Sequence, residues 1–66
     1  MHNLEINNSK ELGILVKKYR EEFGYSQERL AERMSIPRSA ISLIESGKRE
    51  VSSSELALFA KEFDYL

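Results

Sequence analysis

Two stretches of helical spacing, each barely two turns long, lie on either side of a short connection in the middle of the chain. Apolar residues recur three and four positions apart in both stretches, which predicts helices over residues 27–34 and 38–46. The inward-facing residues of this pair are Leu30, Ala31, Met34, Ile41 and Ile44. Helices this short do not persist alone in water. The two segments must therefore be held by packing on each other across a tight turn.

Two further helices flank this pair. Asn8 and Ser52 are each followed three residues later by a glutamate, the spacing of a helix capping box, which predicts helices over 9–23 and 53–63. Their predicted inward residues are Leu12, Leu15, Val16, Tyr19 and Phe23 in the first helix, and Leu56, Phe59, Ala60 and Phe63 in the second. The sequence has no period typical of strands. We therefore predict an all-α bundle of four short helices whose middle pair forms a helix-turn-helix.

The size and composition of the chain exclude several classes of site. A chain of 66 residues can bury only one modest core. It has no cysteine, one histidine, and no recognisable nucleophile–base pair or glycine-rich phosphate loop, so we expect no metal, no cofactor and no enzymatic activity. It also has no apolar run long enough to span a membrane and no signal-peptide pattern. We expect a cytoplasmic protein with a mobile segment over residues 1–8 and one domain over residues 9–66.

Charge is unevenly distributed along the chain, although the net charge is only −1. Residues 1–25 sum to zero, residues 26–49 to +2 and residues 50–66 to −3. A nucleic-acid surface would therefore be a local patch that includes the middle pair of helices.

The segment YSQERLAERMSIPRSAISLIESGKR resembles the core of phage-repressor and Cro-type (XRE-like) helix-turn-helix domains. The resemblance runs from about Leu12 to Phe63. Its specific features are Ser26-Gln27 opening the second helix, Leu30-Ala31, Ile41, and Ile44-Glu45-Ser46-Gly47-Lys48 closing the third. It implies a domain that binds double-stranded operator DNA, usually as a homodimer, with the third helix in the major groove.

The resemblance also implies individual roles. The positions that correspond to base-contacting residues are Arg38, Ser39 and Leu43, and Ser42, which lies on the same exposed face one turn after Arg38, completes the candidate base-contacting set. The positions that correspond to phosphate-contacting residues are Gln27, Ser46, Lys48 and Arg49. Arg20 and Glu45 match a charge pair that ties the first and third helices together.

Helical geometry supports the base-contacting set independently. With Ile41 and Ile44 inward, a step of about 100° per residue turns the four candidate base-contacting residues largely outward. Arg38 can donate two hydrogen bonds to guanine, serines can bond to several base edges, and Leu43 suits a thymine methyl group. We therefore predict a G step beside a T-containing step in each half-site.

Three residues depart from the family's pattern. Ser35 stands where the turn usually has glycine, so a left-handed conformation there would cost about 1 kcal/mol. Pro37 replaces a serine-type N-cap and removes a side-chain acceptor, which leaves open whether the third helix starts at Arg38. Leu43 replaces a residue that is often polar or basic.

The predicted function is transcriptional regulation, in particular repression, through sequence-specific DNA binding. The rival interpretation is a protein-interaction or dimerisation module of the same fold that has lost DNA binding. It would dock through apolar residues outside the core stripes, namely Ile14, Leu58, Tyr65 and Leu66. Resembling domains begin a fifth helix at about this C-terminal point, so a truncated five-helix domain and a missing C-terminal domain are both open alternatives.

Overall fold

The computed structural model describes residues 8–64. This range contains four helices: α1 (Ser9–Glu22), α2 (Gln27–Met34), α3 (Arg38–Glu45) and α4 (Ser53–Glu62). The predicted all-α fold is confirmed, and each helix starts at the predicted residue and ends within one residue of the predicted end. The predicted mobile segment falls outside the described residues except for Asn8, as do Tyr65 and Leu66.

Side-chain caps explain where three of the helices start. The Asn8 side chain accepts hydrogen bonds from the backbone N–H groups of Lys10 and Glu11, at 3.0 and 3.1 Å. Ser26 caps α2, and Ser52 forms the predicted reciprocal capping box with Glu55 at the start of α4. Each oxygen satisfies an N–H group that has no partner inside its own helix.

The core lies between the four helices. Its buried residues are Val16, Leu30, Ala31, Met34, Ile41, Ile44, Phe59 and Phe63. The helix-turn-helix pair supplies the three most deeply buried large side chains, since Leu30, Ile41 and Ile44 expose none of their surface. The predicted packing of the two short helices on each other is therefore confirmed. None of the helices in residues 8–64 combines the length and hydropathy needed to cross a bilayer.

Three residues predicted to face inward are substantially exposed. Leu15, Phe23 and Leu56 keep 44%, 43% and 45% of their surface accessible. Helical periodicity identifies the apolar face of a helix, but neighbouring helices decide how much of that face is covered. Within residues 8–64, the neighbouring helices leave part of the apolar faces of α1 and α4 accessible to solvent. These three predictions of burial are therefore wrong. Phe23 still packs edge-on against Phe63, with ring centroids 5.4 Å apart.

The turn between α2 and α3 has the geometry that the motif requires despite its unusual residues. Ser35 adopts the left-handed conformation (φ 59°, ψ 40°), and the N–H of Ile36 donates to the carbonyl of Ala31 at 3.0 Å. Pro37 is the N-cap of α3 and makes no side-chain cap hydrogen bond, as predicted. The helix nevertheless starts at Arg38, because proline has an extended backbone there (φ −66°, ψ 150°) that leads directly into it.

Gly13 marks the closest approach of α1 to α3. It is buried within α1, and a Cβ atom placed on it would lie 2.1 Å from the carbonyl oxygen of Ile44 and 3.0 Å from that of Glu45. From the sequence, this glycine is only a helix residue that costs about 1 kcal/mol relative to alanine. In the structure it allows α1 to contact the backbone of the last turn of α3.

Candidate nucleic-acid interface

One edge of α3 is not covered by any described part of the chain. Arg38 and Ser39 are exposed, Ser42 is partly exposed and Leu43 keeps 44% of its surface accessible, whereas Ile41 and Ile44 on the opposite side are fully buried. The structure thus brings the four predicted base-contacting residues together on one face. Among residues 8–64, the Arg38 side chain has no ion-pair or hydrogen-bond partner, so its guanidinium group is available to a ligand.

The predicted charge pair between Arg20 and Glu45 is present and nearly buried. Arg20 Nε donates to Glu45 Oε2 at 2.6 Å and Arg20 Nη2 donates to Glu45 Oε1 at 3.1 Å. Their side chains are only 11% and 4% exposed. Arg20 Nη1 also donates to the carbonyl of Tyr25 at 2.8 Å. The bond to Glu45 raises the pKa of Arg20 above its ordinary value. The pair fastens the end of α3 to α1 and to the loop before α2.

Gln27 joins this network, which the sequence did not reveal. Its Nε2 donates to Glu45 Oε1 at 3.0 Å. A carboxylate can only accept hydrogen bonds, so Glu45 fixes the orientation of the Gln27 amide group. The second N–H of that group remains for another acceptor. Gln27 thus braces the end of the third helix through Glu45, and its phosphate contact stays a prediction.

Two other predicted phosphate-contacting residues follow α3. Ser46 is exposed and its Oγ donates to the carbonyl of Leu43 at 3.1 Å. Lys48 is exposed and follows Gly47, whose positive φ of 78° turns the chain away from the helix. Among the described residues Lys48 has no ion-pair partner. Both side chains lie at the C-terminal end of the exposed edge of α3.

Arg49, the fourth predicted phosphate contact, has an intramolecular partner that the sequence did not indicate. Its Nη1 and Nη2 donate to Glu55 Oε1 and Oε2, at 3.1 and 2.8 Å. Glu55 also accepts from the N–H of Ser52 in the capping box. The hydrogen bonds to Glu55 raise the pKa of Arg49, and the hydrogen bond from Arg49, followed by that from Ser52, lowers the pKa of Glu55. Arg49 therefore braces the start of α4, and a phosphate contact would have to share its guanidinium group with Glu55.

This double role of Glu55 predicts a dependence of stability on pH. Because the pKa of Glu55 is lowered in the folded state, its contribution to stability is complete above the ordinary pKa of a glutamate carboxyl group and is lost as the pH falls through the lower folded-state pKa. Glu55→Gln should lower the melting temperature at pH 7 by a few degrees and shrink the difference between pH 7 and pH 3. Thermal melts of both proteins across this range measure it. An identical pH profile for the two proteins would contradict the assignment.

The residues behind the rival interpretation are exposed where the structure describes them. Ile14 on α1 keeps 60% of its surface accessible and Leu58 on α4 keeps 50%. Tyr65 and Leu66 lie outside the described residues. Isolated exposed apolar residues are common on folded proteins.

Comparisons with known proteins agree with this geometry. The profile of a family described as helix-turn-helix matches residues 16–65. The restriction-modification controller protein C.AhdI from Aeromonas hydrophila is 30% identical with a TM-score of 0.79, and the alignment covers 85% of each chain. The clp gene regulator ClgR from Corynebacterium glutamicum is 28% identical with a TM-score of 0.82, over 92% of this chain and 65% of that one.

A third solved structure contains DNA. The controller protein C.Esp1396I, as a tetramer in complex with its natural 35 base-pair operator, is 32% identical with a TM-score of 0.77, over 91% of this chain and 79% of that chain. A search of curated proteins found no match. The matched profile covers more than half of the chain and includes all of α2, the turn and α3. The chain therefore belongs to the XRE-like helix-turn-helix family.

Proposed function

We propose that this domain binds operator DNA sequence-specifically as a homodimer and regulates transcription, in particular as a repressor in the cytoplasm, without catalytic activity. The observation that carries the proposal is the uncovered edge of α3, where Arg38, Ser39, Ser42 and Leu43 face away from a core that holds Ile41 and Ile44. One side of α3 is apolar and buried, and the other is mainly polar and uncovered. Such a helix can enter the major groove of DNA, which is wide enough for an α-helix.

The similar proteins support both the DNA partner and the assembly. Two of them are named as controllers of restriction-modification systems and one as a gene regulator, and one was crystallised as a tetramer on its operator. In a dimer of helix-turn-helix domains the two reading helices lie about 34 Å apart, one turn of the duplex. A two-fold symmetric protein then selects a roughly palindromic site.

The residues of the exposed edge can make different kinds of contact with the bases. Arg38 sits at the first position of α3, the end that enters the groove, and can reach guanine O6 and N7 with two N–H groups. No intramolecular ion pair within residues 8–64 has to be broken for this contact. Leu43, one and a half turns further on, offers only apolar surface and is matched to a thymine methyl group.

Replacing Arg38 with alanine tests this assignment. We expect Arg38→Ala to lose about 1–3 kcal/mol of discrimination at one guanine position and to keep the other preferences. The fold should not change, because Arg38 is exposed and contributes no contact to the core. Affinities for a set of single-base operator variants, measured by fluorescence anisotropy with both proteins, give the result. The same preference profile for both proteins would exclude Arg38 as a base-contacting residue.

The rival function, an interaction module without DNA binding, keeps one supporting observation, the exposure of Ile14 and Leu58. It predicts that Ile14→Ser with Leu58→Ser abolishes association with a partner and that no duplex is bound. The DNA-binding proposal predicts that the exposed edge of α3 controls duplex binding. If the wild type binds a duplex and substitutions on the exposed edge of α3 abolish that binding, the result supports the DNA-binding proposal and excludes the rival function.

A further inference from the structure

A polar groove runs alongside the exposed edge of α3. One wall is α1, which contributes Lys17, and the other is α3, which contributes Ser42 and Ser46. Gln27, the first residue of α2, also lines the groove, as do Arg20, Glu21 and Glu45. On α3, Arg38, Ser42 and Ser46 follow each other at intervals of one turn, so the groove adjoins the row that begins with the base-contacting Arg38.

The charges in this groove leave one cation without a partner. Both oxygens of Glu45 accept from Arg20, and Glu21 Oε2 lies 4.0 Å from Arg20 Nη2. Lys17 has neither an ion pair nor a side-chain hydrogen bond within residues 8–64, and it is exposed. The Arg20–Glu45 pair is thus internally neutralised. Lys17 supplies an ammonium group on the wall that faces α3, and the Glu21 carboxylate on the same wall makes no ion pair with it among the described residues.

Resting on the proposed DNA-binding function, we infer that Lys17 is a further phosphate-binding residue, on α1 and outside the helix-turn-helix. When α3 lies in the major groove, a phosphate backbone borders that groove within reach of the elements beside α3. Lys17, Gln27, Ser42 and Ser46 all line the same polar groove, and Gln27 has one amide N–H beyond the one that it donates to Glu45. A flexible lysine chain ending in a point charge is suited to a phosphate, which needs no fixed approach direction.

The neighbouring residue on α1 provides a matched control. Lys18 is also exposed and unpaired within the described range, but it does not line the groove, because one residue turns the helix by about 100°. Glu21, one turn after Lys17, is the carboxylate that would compete with a phosphate for the ammonium group. It is 60% exposed, so replacing it leaves the core unchanged.

The test is a salt series. Affinities of the wild type, Lys17→Ala, Lys18→Ala and Lys17→Arg are measured by fluorescence anisotropy on a specific and an unrelated duplex. One lysine–phosphate contact per subunit adds about 0.9 to the magnitude of the log-log salt slope, so Lys17→Ala should flatten the slope of a dimer by about 2. The loss should be similar on both duplexes. Lys17→Arg should keep the slope, Lys18→Ala should match the wild type, and Glu21→Gln should tighten binding.

Thermal melts separate this effect from misfolding, since a side chain without partners can be removed with no change in melting temperature. A wild type that binds DNA with a salt slope unchanged by Lys17→Ala would overturn this inference and leave the proposed function standing. Equal flattening by Lys18→Ala would also overturn it, because the effect would then reflect general charge. A wild type that binds no duplex at any salt concentration would overturn both.

Discussion

Replacing Gly13 with alanine is expected to destabilise the domain, although alanine is the better helix former by about 1 kcal/mol. The added Cβ would lie 2.1 Å from the carbonyl oxygen of Ile44, a backbone atom that cannot rotate away. To relieve the clash, α1 must move off α3, and overpacking of this kind costs about 1–3 kcal/mol, occasionally more. For a clash with a backbone atom we take the upper end of that range, about 3 kcal/mol, and subtracting the gain in helix propensity of about 1 kcal/mol leaves a net loss of about 2 kcal/mol, or roughly 10 °C in melting temperature for a domain of this size.

Gly24 provides the control for this experiment. It has a positive φ of 76°, but a Cβ atom placed on it would meet nothing within 4 Å. Gly24→Ala should therefore cost only the backbone strain, about 1–2 kcal/mol. Thermal or urea unfolding measures the loss of stability in both variants. In Gly13→Ala the loss comes from a steric clash, and in Gly24→Ala it comes from the strained backbone conformation. A Gly13→Ala protein as stable as the wild type, or more stable, would show that α1 and α3 do not approach this closely.

Replacing Glu45 with alanine is expected to have the largest effect of any single change at the site. It would leave the Arg20 guanidinium group, 11% exposed, without its carboxylate and remove the partner of the Gln27 amide. Breaking a buried ion pair by deleting one partner costs about 3–5 kcal/mol. A domain of this length has a total stability of roughly 3–10 kcal/mol, so the variant should be mostly unfolded or melt far below the wild type.

Glu21→Ala is the matched control, because Glu21 also faces Arg20 but lies 4.0 Å away and is 60% exposed. Exposed pairs contribute about 0–1 kcal/mol, so this variant should melt close to the wild type. If Glu45→Ala fails to fold, Glu45→Gln retains the shape and one acceptor and should be intermediate. A Glu45→Ala melting temperature within a degree or two of the wild type would contradict the buried network.

Both of these residues hold the same part of the molecule, the last turn of α3. Gly13 lets α1 contact the backbone there, and Glu45 bonds to Arg20 on α1 and Gln27 on α2. The exposed edge of α3 therefore has a fixed direction relative to the rest of the domain. Preorganisation of this kind spares the ordering cost that a mobile reading helix would incur on binding DNA.

Local signals in the sequence were sufficient to predict the helices and the exposed edge of α3. The caps at Asn8, Ser26 and Ser52 and the spacing of Ile41 and Ile44 act within a turn or two of the chain, and the structure confirms them. The reciprocal bond of the predicted capping box is present at Ser52 but, among the described residues, not at Asn8. The Arg20–Glu45 pair is separated by 25 residues and was predicted only through the family resemblance.

The features that the sequence did not reveal depend on distances between helices. In the sequence Gly13 is an ordinary helical glycine. Its importance comes from the carbonyl oxygen of Ile44, which would lie 2.1 Å from a Cβ atom at this position. The pairing of Arg49 with Glu55 depends on how the loop before α4 folds back. The exposure of Leu15 and Leu56 depends on which faces of α1 and α4 their neighbours cover, which periodicity does not report.

Selection of bound duplexes from a random pool tests the central claim, that the exposed edge of α3 reads the major groove. The domain and a variant with Arg38, Ser39 and Ser42 replaced by alanine would be compared in parallel. We predict enrichment of symmetric sites by the wild type, with a G step beside a T-containing step in each half-site and half-site centres about 10 base pairs apart, and loss of that pattern in the variant. No enrichment by the wild type, or the same enriched sequences with both proteins, would contradict it.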